Sequence, residues 1–191
     1  VTDVNRTRPE DVAAAYRELF LASGGGALGL FTAINRLRDT LSRIAGALEA
    51  QGLPLYAQHL DRMALADLIE IFRSEQDSCL LGTDAVRDGV DVPGRSLRLI
   101  VFERAPWPRP DILHKARRDH FGGRNYDDRI TRLRLTQAFG RLIRRADDKG
   151  CYVILDGRTP SRLFNSFPPG AEPIRLGLAE VVSEVRGFLN P

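Results

Sequence analysis

Apolar residues recur at helical spacing between Glu10 and Ala22, with Val12, Ala15, Tyr16, Leu19 and Phe20 on one side, and this pattern predicts an amphipathic helix. Ser23-Gly24-Gly25-Gly26 stops it, and the apolar run Ala27–Thr32 reads as a short strand. The helical period returns over Ile34–Ala50 and ends at Gly52-Leu53-Pro54. Leu55–Gln58 is a second strand, and Asp61 is placed as the cap of a helix running to Phe72. Strands follow at Ser78–Leu81 and Leu97–Glu103, then helices at Asp111–His120 and Asp128–Ala146. Cys151–Asp156 is a further strand and Gly177–Leu189 a final helix. Strands that are continuous apolar runs, separated by helices, imply a parallel sheet buried on both faces. The expected fold class is α/β, in which ligands sit beyond the carboxyl ends of the strands.

With 191 residues, 43% of them apolar, the chain has material for one domain with a sizeable core. Its longest apolar run, Ala27 to Ile34, is broken by Thr32 and too short to span a bilayer. No charged start followed by an apolar stretch marks a leader, so a cytoplasmic protein without a membrane partner is expected. Cys79 and Cys151 are too few and too far apart for a disulfide framework, which fits a reducing setting. The first residue is Val1, not Met, and a piece of a longer polypeptide is the expectation. The formal charge of +3 hides an asymmetry, because residues 104–145 hold 12 Lys+Arg against 4 Asp+Glu. Clustered cations attract polyanions. Only Lys115 and Lys149 are lysines, however, and an arginine bias of this kind also follows from GC-rich coding.

Candidate chemistry follows the strands. Thr32 and Asn35 come after the first, Gly82-Thr83-Asp84 after the third, and then Asp88-Gly89-Val90-Asp91-Val92-Pro93-Gly94. That last stretch reads either as a surface connection whose Gly and Pro set turns, or as a nucleotide-contact loop offering carboxylates and backbone N–H groups. On a helix, Gln137, Arg141 and Arg144 fall within an arc of about 60°. Leu135, Ala138, Phe139, Leu142 and Ile143 then form the opposite, core-facing stripe. Gly140 costs about 1 kcal/mol in mid-helix relative to Ala, and close approach of a ligand or a neighbouring backbone would justify it. The polar face also fits a merely solvated helix. No phosphate loop, dinucleotide fingerprint or nucleophile elbow is present. His59, His114 and His120 have no metal-ligand spacing, and no metal site is expected. The chain therefore offers arginines suited to phosphoryl transfer and nothing to hold the phosphates and Mg²⁺ by itself.

Three segments in this order resemble the C-terminal motor domain of superfamily 2 helicases, within them the DinG/XPD-type DNA helicases. Ala27-Leu28-Gly29-Leu30-Phe31-Thr32-Ala33 is similar to the first motif of that domain, with Ala33 where many members have Ser. Leu80 to Gly94 resembles the segment ending in "FWEGVDVPG", with Ala85-Val86 in place of the aromatic pair, Arg87 added, and Asp88 for the usual Glu. Gln137 to Arg144 matches Q-x-x-G-R-x-x-R, trailed by Asp148-Lys149-Gly150 and by a strand ending Asp156-Gly157-Arg158. Pro106-Trp107-Pro108 resembles the family's "LPFPxP" with Trp for Phe. The likeness covers about Leu28 to Arg158.

The resemblance implies a RecA-like three-layer α/β/α sandwich with a mainly parallel sheet. It divides the chain into an N-terminal helix and linker (1–26), a motif-bearing core (27–158) and a C-terminal extension (159–191). It implies ATP with Mg²⁺ held mainly by a first motor domain absent from this chain, and in the complete protein the option of an iron–sulfur cluster. Arg141 and Arg144 would be arginine fingers, Gln137 would position or sense the phosphate, and Asp88, Gly89, Asp91 and Gly140 would line the nucleotide side. Thr32, Thr83 and Asn35 would contact single-stranded DNA. The partners implied are that DNA and the N-terminal motor domain of the same protein, in DNA repair or replication. The alternative is a non-catalytic nucleic-acid-binding module on a degenerate motor domain; a free-standing small-molecule enzyme is disfavoured because no self-sufficient site is visible.

Overall fold

In the computed structural model, which describes every residue except 90, 93, 145–147, 172 and 191, the chain runs α1 (Pro9–Ser23), β1 (Ala27–Leu30), α2 (Ile34–Glu49), β2 (Leu55–Ala57), α3 (Leu65–Ser74) and β3 (Cys79–Gly82). It continues through α4 (Asp84–Gly89), β4 (Leu99–Phe102), α5 (Ile112–His120), α6 (Arg124–Leu142), β5 (Cys151–Ile154) and α7 (Leu178–Leu189). Every strand pair is parallel and the order is β2-β3-β1-β4-β5. Successive strand residues point to opposite faces, which sorts the core into two halves. Phe31, Cys79, Leu81, Leu99 and Val101 meet α1, α2 and α7, while Leu28, Leu80, Ile100, Phe102 and Ile154 meet α3, α4 and α6. The result is a three-layer sandwich. The connection leaving β1 runs towards one edge over one face, and the connection leaving β4 runs towards the other edge over the opposite face, as right-handed crossovers require. The crevice between the carboxyl ends of β1 and β4 is therefore the switch point of the sheet.

Both chain ends belong to these layers. Tyr16 and Phe20 of α1 are wholly buried, Tyr16 donates to the Leu30 and Val101 carbonyls at 3.1 and 3.3 Å, and Val181 and Val185 of α7 close the same core. The divisions at 26 and 158 follow the motifs and not the packing. Asp61 does not cap α3, which begins four residues later after Ala64; its carboxylate instead accepts from the Ala57 N–H at 2.7 Å. α4, where no helix is expected, overlaps the turn-rich stretch Asp88–Gly94 only at Asp88 and Gly89. α6 starts earlier than its periodicity predicts and ends at Leu142, with Ile143 extended (φ −118°, ψ 110°). Arg144 is consequently not on the helix, and the expected extension to residue 146 runs into residues outside those described. Of the expected core stripe, Leu135, Ala138 and Leu142 are buried; Phe139 and Ile143 are half-buried.

The amino edge of the sheet is held by Arg98. Its side chain, 9% exposed, donates to the carbonyls of Ser23, Gly24 and Arg95 at 3.1, 2.6 and 2.7 Å, to that of Gln76 at 3.3 Å, and to Asp77 Oδ1 at 2.9 Å. The glycine run that ends α1 makes this convergence possible: Gly25 has φ +94°, and a Cβ there would fall on the Asp77 backbone.

No helix among the described residues is long and apolar enough to cross a membrane. Cys79 on β3 and Cys151 on β5 are separated by two intervening strands, about 14 Å at ordinary strand spacing, beyond the reach of a disulfide. Burial pushes the Cys79 thiol up to about 12 and that of Cys151 up to about 11. Both are expected to remain thiols, with Cys79 alkylated by iodoacetamide at pH 8 only after denaturation. Mass spectrometry with and without urea checks this, and rapid labelling of Cys79 in the native chain would contradict the buried placement.

Candidate functional site

α4 and α6 lie side by side on the α3/α4/α6 face, and between them opens a cavity of about 560 Å³ lined by Arg87, Asp88, Ile130, Leu133, Arg134, Gln137, Gly140 and Arg141. Arg134, Gln137 and Arg141 share one helical face because they are three and four residues apart. Gly140 belongs to the same wall, and a Cβ built on it would meet nothing within 4 Å. A neighbouring backbone is therefore not the reason for this glycine; it faces the open cavity.

The cations outnumber the acids here. Arg87 is buried, its side chain 4% exposed, and donates to Asp84 Oδ1 at 2.9 Å and to both Asp88 oxygens at 2.9 and 3.2 Å. It holds the Asp88 carboxylate while Asp88 itself stays 59% exposed at the mouth. Arg134 donates to the Pro106 carbonyl at 3.0 Å. Burial lowers its guanidinium from the ordinary arginine value; the charge of Asp84 opposes that shift and the charge of Arg87 reinforces it. An incoming anion would offset such desolvation with charge-assisted hydrogen bonds.

Arg141 and Arg144 meet at Asp91. Arg144 Nη1 pairs with Asp91 Oδ1, Arg141 Nη1 lies 3.8 Å from the same oxygen, and Arg141 Nη2 is 3.4 Å from the Asp88 carbonyl. Asp91 is fixed from behind, because Arg73 of α3 donates to its carbonyl through Nε and Nη2 at 3.1 and 2.9 Å. The extended backbone at Ile143 delivers Arg144, whose own N–H donates to Asp148 Oδ2 at 2.8 Å. Neither guanidinium is sunk into the interior: the side chains of Arg141 and Arg144 are 38% and 25% exposed, and Asp91 is 61% exposed. Gly89 ends α4 on the surface beside Ile69. Residues 90 and 93 of this segment lie outside those described.

The remaining expected residues sit beyond the strand ends. The Thr32 hydroxyl accepts from Arg104 Nε at 3.0 Å across the β1/β4 switch point, where Arg36 also pairs with the buried Glu103. Thr83, after β3, is nearly buried; its N–H and hydroxyl both donate to Gln58 Oε1 at 2.9 Å, and His59 Nε2 is 3.4 Å from its oxygen. Asn35 is exposed in the first turn of α2. The expected residues thus form two groups, one at the α4/α6 cavity with Asp91, the other along the carboxyl edge. Arg87 and Arg134 were missed by sequence reasoning. Arg134 was findable, seven residues before Arg141 on the same helical face; Arg87 was not, because no periodicity in its short segment predicts the helix that carries it. Among the described residues no group of three His, Cys, Asp or Glu side chains is placed to hold a metal ion.

An all-parallel sheet in this order, covered on both faces and bearing arginines on the helix before its edge strand, belongs to the RecA-like class of helicase C-terminal folds. The model of the helicase C-terminal domain matches residues 16–170. The chain is 34% identical over 157 residues to the ATP-dependent helicase DinG of Mycobacterium tuberculosis (78% of this chain, 23% of that one). It is 31% identical over 172 residues to the ATP-dependent DNA helicase YoaA of Escherichia coli (83% and 26%), and 30% identical over 171 residues to the 3'-5' exonuclease DinG of Bacillus subtilis (84% and 18%). Among solved structures, S. cerevisiae Dbp5 L327V bound to RNA and ADP BeF3 has the same fold, with a TM-score of 0.61 at 17% identity over 99% of this chain and 44% of that one. The chain belongs to the helicase C-terminal domain family. It spans about a quarter or less of the length of these curated relatives.

Proposed function

We propose that this chain is the C-terminal motor lobe of an ATP-dependent DNA helicase and completes an ATP site whose phosphate grip lies on a preceding lobe of the same protein. The observation that carries the reading is the convergence of Arg141 and Arg144 on one exposed carboxylate, Asp91, beside a cavity walled by Gln137, Arg134 and Arg87. These groups fit the phosphate end of ATP. They do not fit Mg²⁺, because Asp88 and Asp91 are already engaged by arginines; nor do two cysteines on separate strands, one buried and one half-buried, fit an iron–sulfur cluster, which takes four thiolates. Both groups, where used, would be held elsewhere in the complete protein.

In this reading Arg141 and Arg144 leave Asp91 as the lobes close and stabilise the charge that develops on the transferring phosphoryl oxygens. Gln137 lies one helical turn before Arg141 and orients or senses the phosphate. Asp88 and Gly89 line the nucleotide side. Thr32, Thr83 and Asn35 grip single-stranded DNA along the carboxyl edge, so that closure moves the grip. Repair or replication intermediates in the cytoplasm are the expected working context.

The 191-residue chain alone is expected to hydrolyse no ATP, while a protein carrying both lobes hydrolyses it when single-stranded DNA is added. A coupled phosphate-release assay decides this, and robust turnover by the isolated chain would sink the proposal. A second reading, a non-catalytic nucleic-acid-binding module, draws on the basic stretch 104–145. It requires the two-lobed protein to bind DNA and turn over no ATP.

A further inference from the structure

α5 is an anomaly of packing: none of its nine residues is buried. Ile112 is 88% exposed, Leu113 59%, and Phe121, immediately after the helix, 56%. A helix this short is marginal unless a tertiary partner covers one stripe of it. Here the helix is held by polar contacts and by ring stacking on Tyr126 of α6. Asp111 caps it by accepting from the His114 N–H at 2.7 Å, and Asp127 of α6 pairs with His114 Nε2 at 2.8 Å and with Arg118 Nε at 2.9 Å. The hairpin is oriented, and its outer surface is left uncovered.

That surface carries a row of rings. His114 and Tyr126 stack at 5.6 Å with planes 29° apart, Tyr126 and Phe121 at 5.8 Å and 27°, and His120 meets Phe121 edge-on at 4.7 Å. Lys115, Arg117 and Arg124 are exposed around it. Of the nearby acids, Asp127 is paired as above and the buried Asp128 is held by Arg162 at 2.6 and 3.1 Å, which leaves Asp119, exposed in the last turn of α5, as the acid beside the cations. Protein-docking surfaces are depleted of charge at their centres. Rings interleaved with unpaired cations suit a single strand instead, its bases stacking on π faces and its phosphates meeting the cations.

The position agrees. Leu142, at the end of α6, packs against Gly150, which directly precedes β5, so this end of the helix lies at the amino edge of the sheet. The 19 residues of α6 rise about 28 Å, whereas a four-residue strand spans about 13 Å. The first turns of α6, and α5 with them, therefore project past the carboxyl edge, on the side of Thr32 and Arg104.

We propose that the α5–α6 hairpin is a single-stranded DNA contact in which a base stacks on Phe121 at the exposed end of the ring row while Lys115, Arg117 and Arg124 take the adjoining phosphates. This rests on the DNA-binding reading above and adds a site to it.

The test is fluorescence anisotropy of a labelled 20-nucleotide oligo-dT with the 191-residue chain across a salt series. Phe121→Ala is expected to weaken binding about tenfold without changing the salt slope, and Phe121→Leu to weaken it nearly as much, since bulk is kept and the π face lost. The double variant Arg117→Ala/Arg124→Ala flattens the slope of log affinity against log salt by about 0.7 per cation removed. Circular dichroism melts of these surface variants match the parent. If the parent chain binds no oligo-dT at 50 mM salt, the DNA-binding reading fails and this site with it. If the parent binds, the hairpin variants bind equally well, and only Arg104→Ala weakens binding, the proposed site is overturned and the DNA-binding reading stands. Full affinity in Phe121→Leu overturns stacking.

Discussion

Arg141→Ala and Arg144→Ala, each made in a protein that carries both motor lobes, are expected to lower kcat for ATP hydrolysis by about 10³ to 10⁵ while leaving ATP affinity within a few-fold of the parent. The asymmetry follows from when the contact forms. In the lone lobe both guanidinium groups rest on Asp91, so they contribute little to holding ATP in an open cleft. In the function proposed above they act on charge that exists only as the phosphoryl group transfers, and such interactions appear in kcat, not in ground-state binding. Asp91→Ala separates parking from chemistry. It removes the resting partner and keeps both arginines, so a fall of about tenfold or less is expected, from lost orientation alone. Single-turnover hydrolysis together with equilibrium nucleotide binding makes the distinction. Equal loss of binding and turnover in the arginine variants would assign them a structural role instead.

Arg98→Ala is expected to destabilise the isolated chain by about 3–5 kcal/mol, the usual cost of removing one partner from a buried charged network. The guanidinium is the shared donor for four carbonyls on three separate segments, namely the end of α1, the turn before β3 and the turn before β4. Truncation leaves those carbonyls facing a void that Gly25 and Gly26 cannot fill. The ion pair with Asp77 adds little, because Asp77 is 64% exposed. At a urea m-value near 2 kcal/mol/M the midpoint falls by about 1.5–2.5 M. Arg98→Lys recovers only part of this, since an ammonium has three donors and no planar fork. A loss under about 1 kcal/mol in Arg98→Ala would mean that the carbonyls find water, and that the convergence is not what fixes the amino edge.

Much of the architecture was legible because it is encoded locally. Strand runs such as Leu99–Phe102 are apolar on both faces, and only a doubly covered parallel sheet accepts that pattern. The periodicity of α1 and α2 and the glycine stop after Ser23 likewise needed no knowledge of the rest of the chain. α4 escaped notice because Asp88-Gly89 and the Pro and Gly beyond carry turn signals. Six residues become helical there because Val86 is fully buried against Gly82, whose missing side chain leaves the space. The end of α6 was misplaced for a related reason. Helical period continues through Ile143 and Arg144 on paper, but the chain leaves the helix to bring Arg144 to an acid more than fifty residues earlier.

By itself the sequence determined the alternation of strands and helices, the two apolar faces of the sheet and the shared helical face of Gln137 and Arg141, since each follows from spacing within a few residues. The tertiary structure alone decided the strand order, the pairing of Arg141 and Arg144 with Asp91, the entry of Arg87 into the cavity wall, and the uncovered rings of the α5–α6 hairpin. Those features depend on contacts between segments distant in the chain, and no local pattern of polarity records which distant segment will arrive.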